Sequence, residues 1–191
     1  MSGSAPRAKN KFGGAWTIEK LSFLKRYLAA YTRIMTGNER ARFFKTSYVD
    51  AFAGSGTISR EYDSNQTSVF NGADEFIEGS AMVALENYPP FDKYYFIEKS
   101  SSRCNELRKL AANYPGIANR IQISKGDANS GLSGWIEKTE WSTNRAVVFL
   151  DPFGMQVQLQ VPVGGGDQPD IDPAQFCRDG EGFSNSQLVP I

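Results

Sequence analysis

Apolar residues recur near the start of the chain with the period of a helix. Between residues 17 and 37 they are three, four or seven positions apart, which places them on one stripe of a helix. Thr17 is positioned to cap this helix, Glu19 suits its first turn, and Gly37 suits its end. The stripe contains Ile18, Leu21, Leu24, Leu28, Tyr31 and Met35, and it is widened by Phe23, Tyr27 and Ile34. We expect this stripe to face the core, with a partner-docking surface as the alternative.

Further along the chain, short apolar runs alternate with helical patterns. The runs predict strands at 46–52, 93–98, 120–124 and 145–150. The patterns between them predict helices at 80–87, 101–113 and 129–141. The run 145–150 is almost entirely apolar, as expected of a central parallel strand buried on both faces. This alternation indicates right-handed βαβ units, and we therefore predict an α/β fold with an open, mostly parallel sheet.

Three segments interrupt or flank this pattern. The polar, turn-rich stretch 58–78 is too long for an ordinary connection, which indicates either a functional lid or an insertion. We predict a flexible N-terminal arm at 1–15, an α/β domain at 16–157, and an irregular or disordered tail at 158–191. A sheet that stops at 145–150 would expose this strand as an edge, which the tail, a second copy or a partner would have to cover.

The composition excludes several kinds of catalytic and metal-binding chemistry. The chain has no histidine, so histidine-based catalysis and histidine-ligated metals are excluded. Its 21 basic and 21 acidic residues balance, so no overall field attracts nucleic acid or anionic lipid. Cys104 and Cys177 have no metal-ligand spacing and define no disulfide framework. With neither a long apolar run nor a secretory signal, we expect a cytoplasmic protein without a membrane span.

Acidic residues mark the ends of successive predicted strands. Glu98, Asp127 and Asp151 lie at the carboxyl ends of three of these strands, and Asp50 lies inside the first strand, just before the glycine turn 53–56. In a parallel α/β sheet the ligand crevice lies outside the carboxyl ends of the strands, where the strand order reverses. Glycines let the backbone approach a ligand closely, while carboxylates accept hydrogen bonds from ribose hydroxyls or from an exocyclic amine. The plainer alternatives are a tight turn at the glycines and a helix cap at Asp127.

Two of these motifs resemble known ones. Phe52-Ala53-Gly54-Ser55-Gly56 resembles the first motif of class I S-adenosylmethionine-dependent methyltransferases. Asp151-Pro152-Phe153-Gly154 resembles the Asp-Pro-Pro-aromatic motif of amino-group methyltransferases, with Phe153 at the second proline position. Over residues 16–157 the chain is similar to the three-Cys-motif partner protein family. The motifs of that longer match are Trp16-Thr17, Lys20-Leu21, Tyr27-Leu28, Ala30-Tyr31, Tyr48 to Gly56, Gly79-Ser80 and Phe149 to Met155.

The resemblance implies a Rossmann-like methyltransferase fold with S-adenosylmethionine as cofactor. The cofactor-binding residues that it implies are Asp50, Phe52, Gly54, Ser55, Gly56, Glu98, Asp127 and Ala128. Among these, Glu98 would hold the ribose, and Asp127 with Ala128 would flank the adenine. Asp151, Pro152 and Phe153 would face the substrate, an amino group of a nucleic acid or of a partner protein. The family association also implies a radical-SAM-like three-cysteine protein as partner.

Two departures from the family pattern leave other functions open. Glu98 lies 42 residues beyond Gly56, whereas about 20 is typical of the compact dinucleotide unit. The family pattern continues beyond Met155 and this chain does not, so we interpret the domain as truncated and incomplete at its C-terminus. A catalytically inactive binding module is one alternative. Another is a nucleotide-binding oxidoreductase of related fold, although the third glycine of the dinucleotide fingerprint is missing. The plainer alternative for Asp151-Pro152-Phe153 itself is that this motif simply ends a buried strand.

Overall fold

The computed structural model describes residues 15–59, 76–151 and 187–190. Within these residues strands alternate with helices, as the sequence predicts. The elements in chain order are α1 (Ala15–Gly37), β1 (Lys45–Asp50), β2 (Thr57–Ser59), β3 (Phe76–Glu78), α2 (Ser80–Leu85), β4 (Lys93–Glu98), α3 (Ser101–Ala112), a 3-10 helix (Pro115–Arg120), β5 (Ile121–Lys125), α4 (Ala128–Lys138), β6 (Asn144–Leu150) and β7 (Gln187–Pro190). None of the described helices combines the length and the apolarity that a membrane span requires.

The main sheet has the strand order β5-β4-β1-β6-β7. β5, β4, β1 and β6 are parallel to their neighbours, so the predicted α/β fold with a parallel sheet is confirmed. From β1 the chain builds outward through β4 to β5, and it then crosses to place β6 on the other side of β1. The strand order therefore reverses at β1, and the carboxyl ends of β1 and β6 lie at that reversal.

The C-terminal strand β7 corrects the expectation of an exposed edge. It pairs antiparallel with β6, with Val189 opposite Val148, and it gives the sheet a fifth strand. Of the alternatives considered for covering this edge, the structure shows the tail. Residues 187–190 are thus a strand rather than irregular chain, whereas 152–186 lie outside the described residues. Pro190 suits this place, because an edge strand tolerates a residue that donates no backbone hydrogen bond.

Side chains alternate between the two faces of the sheet and build two cores. On the first face α1, α2 and α3 pack against inward-pointing residues such as Tyr48, Phe96 and Phe149. On the second face α4 packs through Leu132 against residues such as Val148. Both faces of the central strands are therefore covered, which explains the nearly continuous apolar run in β6.

Helix α1 buries a narrower stripe than the sequence predicts. Leu21, Leu24 and Leu28 are buried against the first core. Three residues assigned to the same stripe are exposed instead, namely Ile18, Phe23 and Ile34, at 47%, 51% and 62%. The predicted stripe was too wide, because a helix that lies on a flat layer buries only the row facing that layer. The helix also begins at Ala15, which places Thr17 inside it rather than at its cap.

The two ends of the stretch 58–78 lie next to each other. β2 and β3 form a separate antiparallel pair in which Thr57 lies opposite Glu78. The Gly79 N–H then donates to the Gly56 carbonyl at 3.1 Å, so the chain returns to the point that it left. α2 consequently begins directly beside the glycine turn. The stretch lengthens the sequence between glycines and helix without separating them in space, while residues 60–75 lie outside the described residues.

Candidate functional site

A cavity of about 500 Å³ opens at the carboxyl ends of β1, β4 and β5, and we call it the edge pocket. Its walls are the turn after β1, the segment that joins β4 to α3, and the loop that enters α4. The lining residues are Ala51, Phe52, Gly54, Ile97, Glu98, Lys99, Ser100, Arg103, Gly126, Asp127, Ala128 and Asn129. Five of the residues predicted to bind a cofactor thus meet in one cavity: Phe52, Gly54, Glu98, Asp127 and Ala128.

Backbone hydrogen bonds fix the wall segments to one another. The Ala53 N–H donates to the Ile97 carbonyl at 3.2 Å, and the Gly126 N–H donates to the Glu98 carbonyl at 3.1 Å. At Gly54 the backbone has φ +61°, a left-handed conformation that favours glycine, and no atom lies within 4 Å of where a Cβ would stand. The turn therefore presents bare backbone to open space at the pocket wall.

Glu98 contributes a carboxylate that is buried at the pocket wall. Its Oε1 accepts a hydrogen bond of 2.7 Å from the backbone N–H of Ser100, and its Oε2 lies 4.0 Å from the guanidinium of the exposed Arg103. A carboxylate offers about four lone-pair positions, so Glu98 can accept further hydrogen bonds from a ligand. The turn into α3 holds it in place, because Ser100 is the N-cap of that helix.

Asp127 has two roles at once. It is the N-cap of α4, where its Oδ1 accepts the Ser130 N–H at 3.1 Å, so the helix-cap interpretation is confirmed. This backbone hydrogen bond is the main reason why the pKa of Asp127 is lowered, and the charge of Lys99 adds to it. Asp127 also lines the edge pocket, where it is exposed to solvent.

Asn129 carries a buried acceptor without a partner. Its Oδ1 accepts no hydrogen bond within the described part of the chain, although the residue lines the edge pocket. A buried polar atom in this state costs about 1–3 kcal/mol, so such atoms are rare and each one calls for an explanation. Sequence reasoning missed Asn129, because nothing in its neighbourhood distinguishes it from an ordinary helix residue.

Asp50 lies on the opposite side of the glycine turn, within the first core. It is fully buried, and its Oδ2 accepts a hydrogen bond of 2.6 Å from the Ser80 hydroxyl. Its Oδ1 accepts the Phe52 N–H at 3.0 Å. Burial raises the pKa of Asp50 to about 6, and the hydrogen bonds from Ser80 and Phe52 oppose this increase while the charge of Asp151 adds to it.

Asp151 directly follows β6, where its carboxylate forms an ion pair with Lys20 of α1. We call Lys20, Asp50, Ser80 and Asp151 the carboxylate cluster. Asp151 lies at the same carboxyl edge of the sheet as Glu98 and Asp127, but it does not line the edge pocket with them, because β6 lies beyond β1 from β4. Within the described ranges no group of His, Cys, Asp and Glu is arranged to hold a metal ion.

The remaining predicted residues are accounted for separately. Gly56, with φ +82°, packs against Leu107 and Leu110 of α3 instead of lining the pocket, and Ser55 is also outside the lining. Pro152 and Phe153 lie outside the described residues. Sequence reasoning gave no role to Lys20 or Ser80. The signal that could have found them is their place in Lys20-Leu21 and Gly79-Ser80, two of the motifs that carry the resemblance described above.

Comparison with known proteins gives a likeness of fold. The sequence matches no family model and no curated protein. A Legionella pneumophila protein assigned to the family model DUF519 is similar at TM-score 0.49 and 16% identity, over 72% of this chain and 68% of that one. A conserved hypothetical protein of Streptococcus pyogenes is similar at TM-score 0.32 and 14% identity, over 61% of this chain and 74% of that one. Neither likeness bears on activity.

Proposed function

We propose that the chain is an S-adenosylmethionine-dependent, methyltransferase-like protein of the three-Cys-motif partner type, and that the edge pocket takes the adenosyl group. The observation that carries the proposal is the meeting of Glu98 and the β1 glycine turn in one cavity at the carboxyl ends of the strands. The cavity volume of about 500 Å³ lies within the range of about 300–1,000 Å³ common to small-molecule sites.

The polar groups of the pocket fit an adenosyl group chemically. Ribose hydroxyls and the adenine amine are hydrogen-bond donors, and Glu98 and Asn129 supply acceptors. Glu98 would accept from the ribose hydroxyls, while the Asn129 carbonyl oxygen would accept from the amine once its side chain turns towards the cavity. Gly54 leaves room for the ligand to approach the backbone. These residues would therefore bind and orient the cofactor.

On the acceptor side the proposal gives Asp151 the substrate-facing role. The cofactor supplies a methyl group on a positively charged sulfonium, and the protein contributes orientation and exclusion of water. Asp151 would accept an N–H of the acceptor amine, from a nucleic acid or from a partner protein. The partner of three-cysteine type remains part of the same proposal. For the fold, we correspondingly propose that the sheet is of the Rossmann-like methyltransferase type.

A dinucleotide-dependent oxidoreductase is less well supported by the described residues. In such enzymes the pyrophosphate lies at the N-terminus of the helix that directly follows the glycines. Here α2 begins beside the glycine turn, but the hydroxyl at its start, that of Ser80, donates to the buried Asp50. An acid at the position of Glu98 fits the ribose of either cofactor, so the glycine turn distinguishes the two classes.

Isothermal titration at pH 7.5 with S-adenosylmethionine, S-adenosylhomocysteine and NAD tests the proposal. We expect both adenosyl compounds to bind and NAD not to bind. Glu98→Gln should weaken their binding about 10- to 100-fold, because hydrogen bonds to a charged acceptor contribute about 1.5–3 kcal/mol. Glu106→Gln is the matched control, since Glu106 is an exposed residue of α3 outside the pocket lining.

Three results contradict the proposal in different ways. Binding of NAD without either adenosyl compound would support the oxidoreductase. If the wild-type protein binds none of the three compounds, the proposed cofactor site is ruled out. Tight binding of S-adenosylmethionine without transfer of a tritiated methyl group to DNA, RNA or a co-purified protein would leave a catalytically inactive binding module.

A further inference from the structure

Helix α1 and the turn after it are more basic than the balanced composition of the chain suggests. Between residues 19 and 45 there are seven basic residues and two acidic ones, whereas the whole chain has 21 of each. Two lysines of this set pair with acids elsewhere in the chain. Four arginines are exposed and form no ion pair within the described part of the chain, namely Arg26, Arg33, Arg40 and Arg42. Their charges are therefore accessible to an anionic partner.

Two of these arginines share one exposed side of α1 with apolar side chains. This side, which we call the basic face, consists of Phe23, Arg26, Ala30, Arg33 and Ile34, all of them exposed. Neighbouring members are three, four or seven positions apart, so they lie above one another on the same side of the helix. At a rise of 1.5 Å per residue the basic face is about 16 Å long. Arginines thus alternate along it with apolar side chains.

A row of stacked aromatic rings holds the exposed ring of Phe23 in place. Its centroid lies 6.4 Å from that of Tyr27, and the Tyr27 centroid lies 6.4 Å from that of Tyr31. Tyr31 stacks in turn on Phe91, which is fully buried. Because this row already restricts Phe23, the side chain has little rotamer freedom left to lose when a ligand binds. The ring is therefore a fixed surface on which a planar group can stack.

Arginines beside a fixed aromatic ring fit a single-stranded nucleic acid better than other anionic partners. Guanidinium groups bind phosphates, and the bases of a single strand stack on aromatic side chains. A duplex keeps its bases stacked inside the helix, and an acidic peptide supplies charge without planar bases. A membrane surface takes up a continuous apolar face, whereas arginines interrupt the apolar residues here.

The basic face lies next to the acceptor side of the proposed site. Lys20, three residues before Phe23, pairs with Asp151, to which the proposed function gives the substrate-facing role. At the other end of α1 the following turn exposes Arg40 and Arg42. A strand that lies along α1 therefore runs from this turn towards the carboxyl edge of the sheet.

We propose that the basic face of α1 binds single-stranded nucleic acid, with phosphates on Arg26 and Arg33 and a base stacked on Phe23. In choosing a nucleic acid over a partner protein as the methyl acceptor, the inference rests on the proposed function. Binding of the strand requires no cofactor, so it is measured separately from the cofactor site.

Fluorescence anisotropy of the full chain with labelled single strands of RNA and of DNA, about 20 nucleotides long, tests the inference. The Kd is measured between about 50 and 200 mM salt, and it should rise with salt because phosphate contacts release counterions. The double variant Arg26→Gln with Arg33→Gln should weaken binding about tenfold at low salt and reduce the salt slope by about 1.4, about 0.7 for each lost contact. Phe23→Ala should also weaken binding about tenfold but leave the slope unchanged, because it removes stacking and no charge.

Two further variants separate binding at this face from general charge and from loss of structure. Arg108→Gln with Lys109→Gln removes the same charge from exposed positions of α3, and it should leave the Kd within about threefold of the wild type. Glu19→Gln removes an exposed acid one turn before Phe23 and should strengthen binding about two- to fivefold, because that acid repels phosphate. An unfolded variant cannot bind more tightly, so this gain does not depend on the stability of the other variants.

Losses in the arginine and Phe23 variants, with the α3 control unchanged, support the inference. It is overturned if the wild-type protein binds neither strand, or if these variants bind as the wild type does. Polyglutamate that competes equally at the same charge concentration also overturns it, because the face then recognises charge without bases. So does tighter binding to vesicles of phosphatidylserine and phosphatidylcholine. None of these measurements uses an adenosyl compound, so the cofactor titration alone decides the proposed cofactor site.

Discussion

Strand β1 separates two polar regions whose charges are satisfied over very different distances along the chain. In the edge pocket, Glu98 accepts a backbone N–H two residues away, and Asp127 accepts one three residues away. In the carboxylate cluster, Asp50 accepts the Phe52 N–H two residues away but also the Ser80 hydroxyl, 30 residues away, and Asp151 pairs with Lys20 across 131 residues. Both regions lie at the carboxyl edge of one sheet.

The difference shows which of the two regions is prepared for a ligand. Local hydrogen bonds to turns and helix caps hold the acids of the pocket and leave their remaining acceptor positions facing a cavity. Contacts with distant parts of the chain hold the acids of the carboxylate cluster, as Ser80 does for Asp50 and Lys20 does for Asp151. The pocket can therefore bind a ligand with little rearrangement.

The largest expected effect distinguishes the two glycines that lie on these two sides. A Cβ at Gly56 would lie 2.5 Å from Leu110 Cδ2 and 3.1 Å from Leu107 Cδ2, at φ +82°. We expect Gly56→Ala to lower the free energy of unfolding by about 2–5 kcal/mol, through overpacking and backbone strain. Gly54→Ala meets open space and should cost only about 1–2 kcal/mol of strain. Urea denaturation measures both, and equal losses would contradict the assignment of Gly56 to the core side.

The next largest expected effect is a pH dependence of stability caused by Asp50, the buried carboxylate of the carboxylate cluster. The pKa of Asp50 is raised from 3.8 to about 6. Between these two pH values the folded protein therefore holds a proton that the unfolded chain has lost. This contribution to stability is fully present below about pH 4 and is lost as the pH rises to about 6. The difference of about 2 pKa units corresponds to about 3 kcal/mol.

Asp50→Asn should therefore be more stable than the wild type at pH 7.5, and this advantage should shrink towards pH 4. Asparagine can still accept the Phe52 N–H, which preserves the local geometry. The measurement is urea denaturation of both proteins from pH 4 to pH 8, comparing their difference at each pH. A wild type that gains stability over the variant as the pH rises would show that the Asp50 carboxylate is stabilised when ionised.

The smallest expected effect on stability concerns Asp127, which lines the edge pocket. Asp127→Ala removes the N-cap of α4 and should lower the melting temperature slightly, because the group is exposed and its contact is local. Asp127→Ser keeps a capping oxygen and should melt close to the wild type. Thermal melts followed by circular dichroism compare the three proteins. A loss as large as that of Gly56→Ala would mean that the pocket side is as tightly packed as the core side.

The success of prediction from sequence also differs between features that depend on neighbouring residues and features that depend on distant ones. The four parallel strands and their helices were predicted because each depends on a local pattern of apolar residues, as in the run of β6. Strand ends were less accurate: the first strand stops at Asp50, whose side chain takes up the Phe52 N–H and begins the turn. Helix α4 stops before Trp141, whose indole N–H donates back to the Ile136 carbonyl.

Features that depend on distant parts of the chain could not be predicted. Nothing near Lys20 or Asp151 in sequence indicates that they pair, because the contact exists only once α1 lies across the sheet. The pairing of β2 with β3 is hidden in the same way, since each strand is three residues long. The four residues of β7 are too few for a recognisable pattern, and their role depends on the edge that β6 offers.

The pairing of β7 with β6 has a consequence for biosynthesis. β6 is complete at Leu150, and its partner begins only at Gln187. At a synthesis rate of about 5–20 residues per second, the ribosome needs roughly 2–7 s to make the intervening chain. Until β7 has been made and has paired, β6 offers unsatisfied backbone groups along one edge, which a neighbouring polypeptide can join. Slow codons or chaperone binding between these two points would therefore change the yield of folded protein more than the same events earlier in translation.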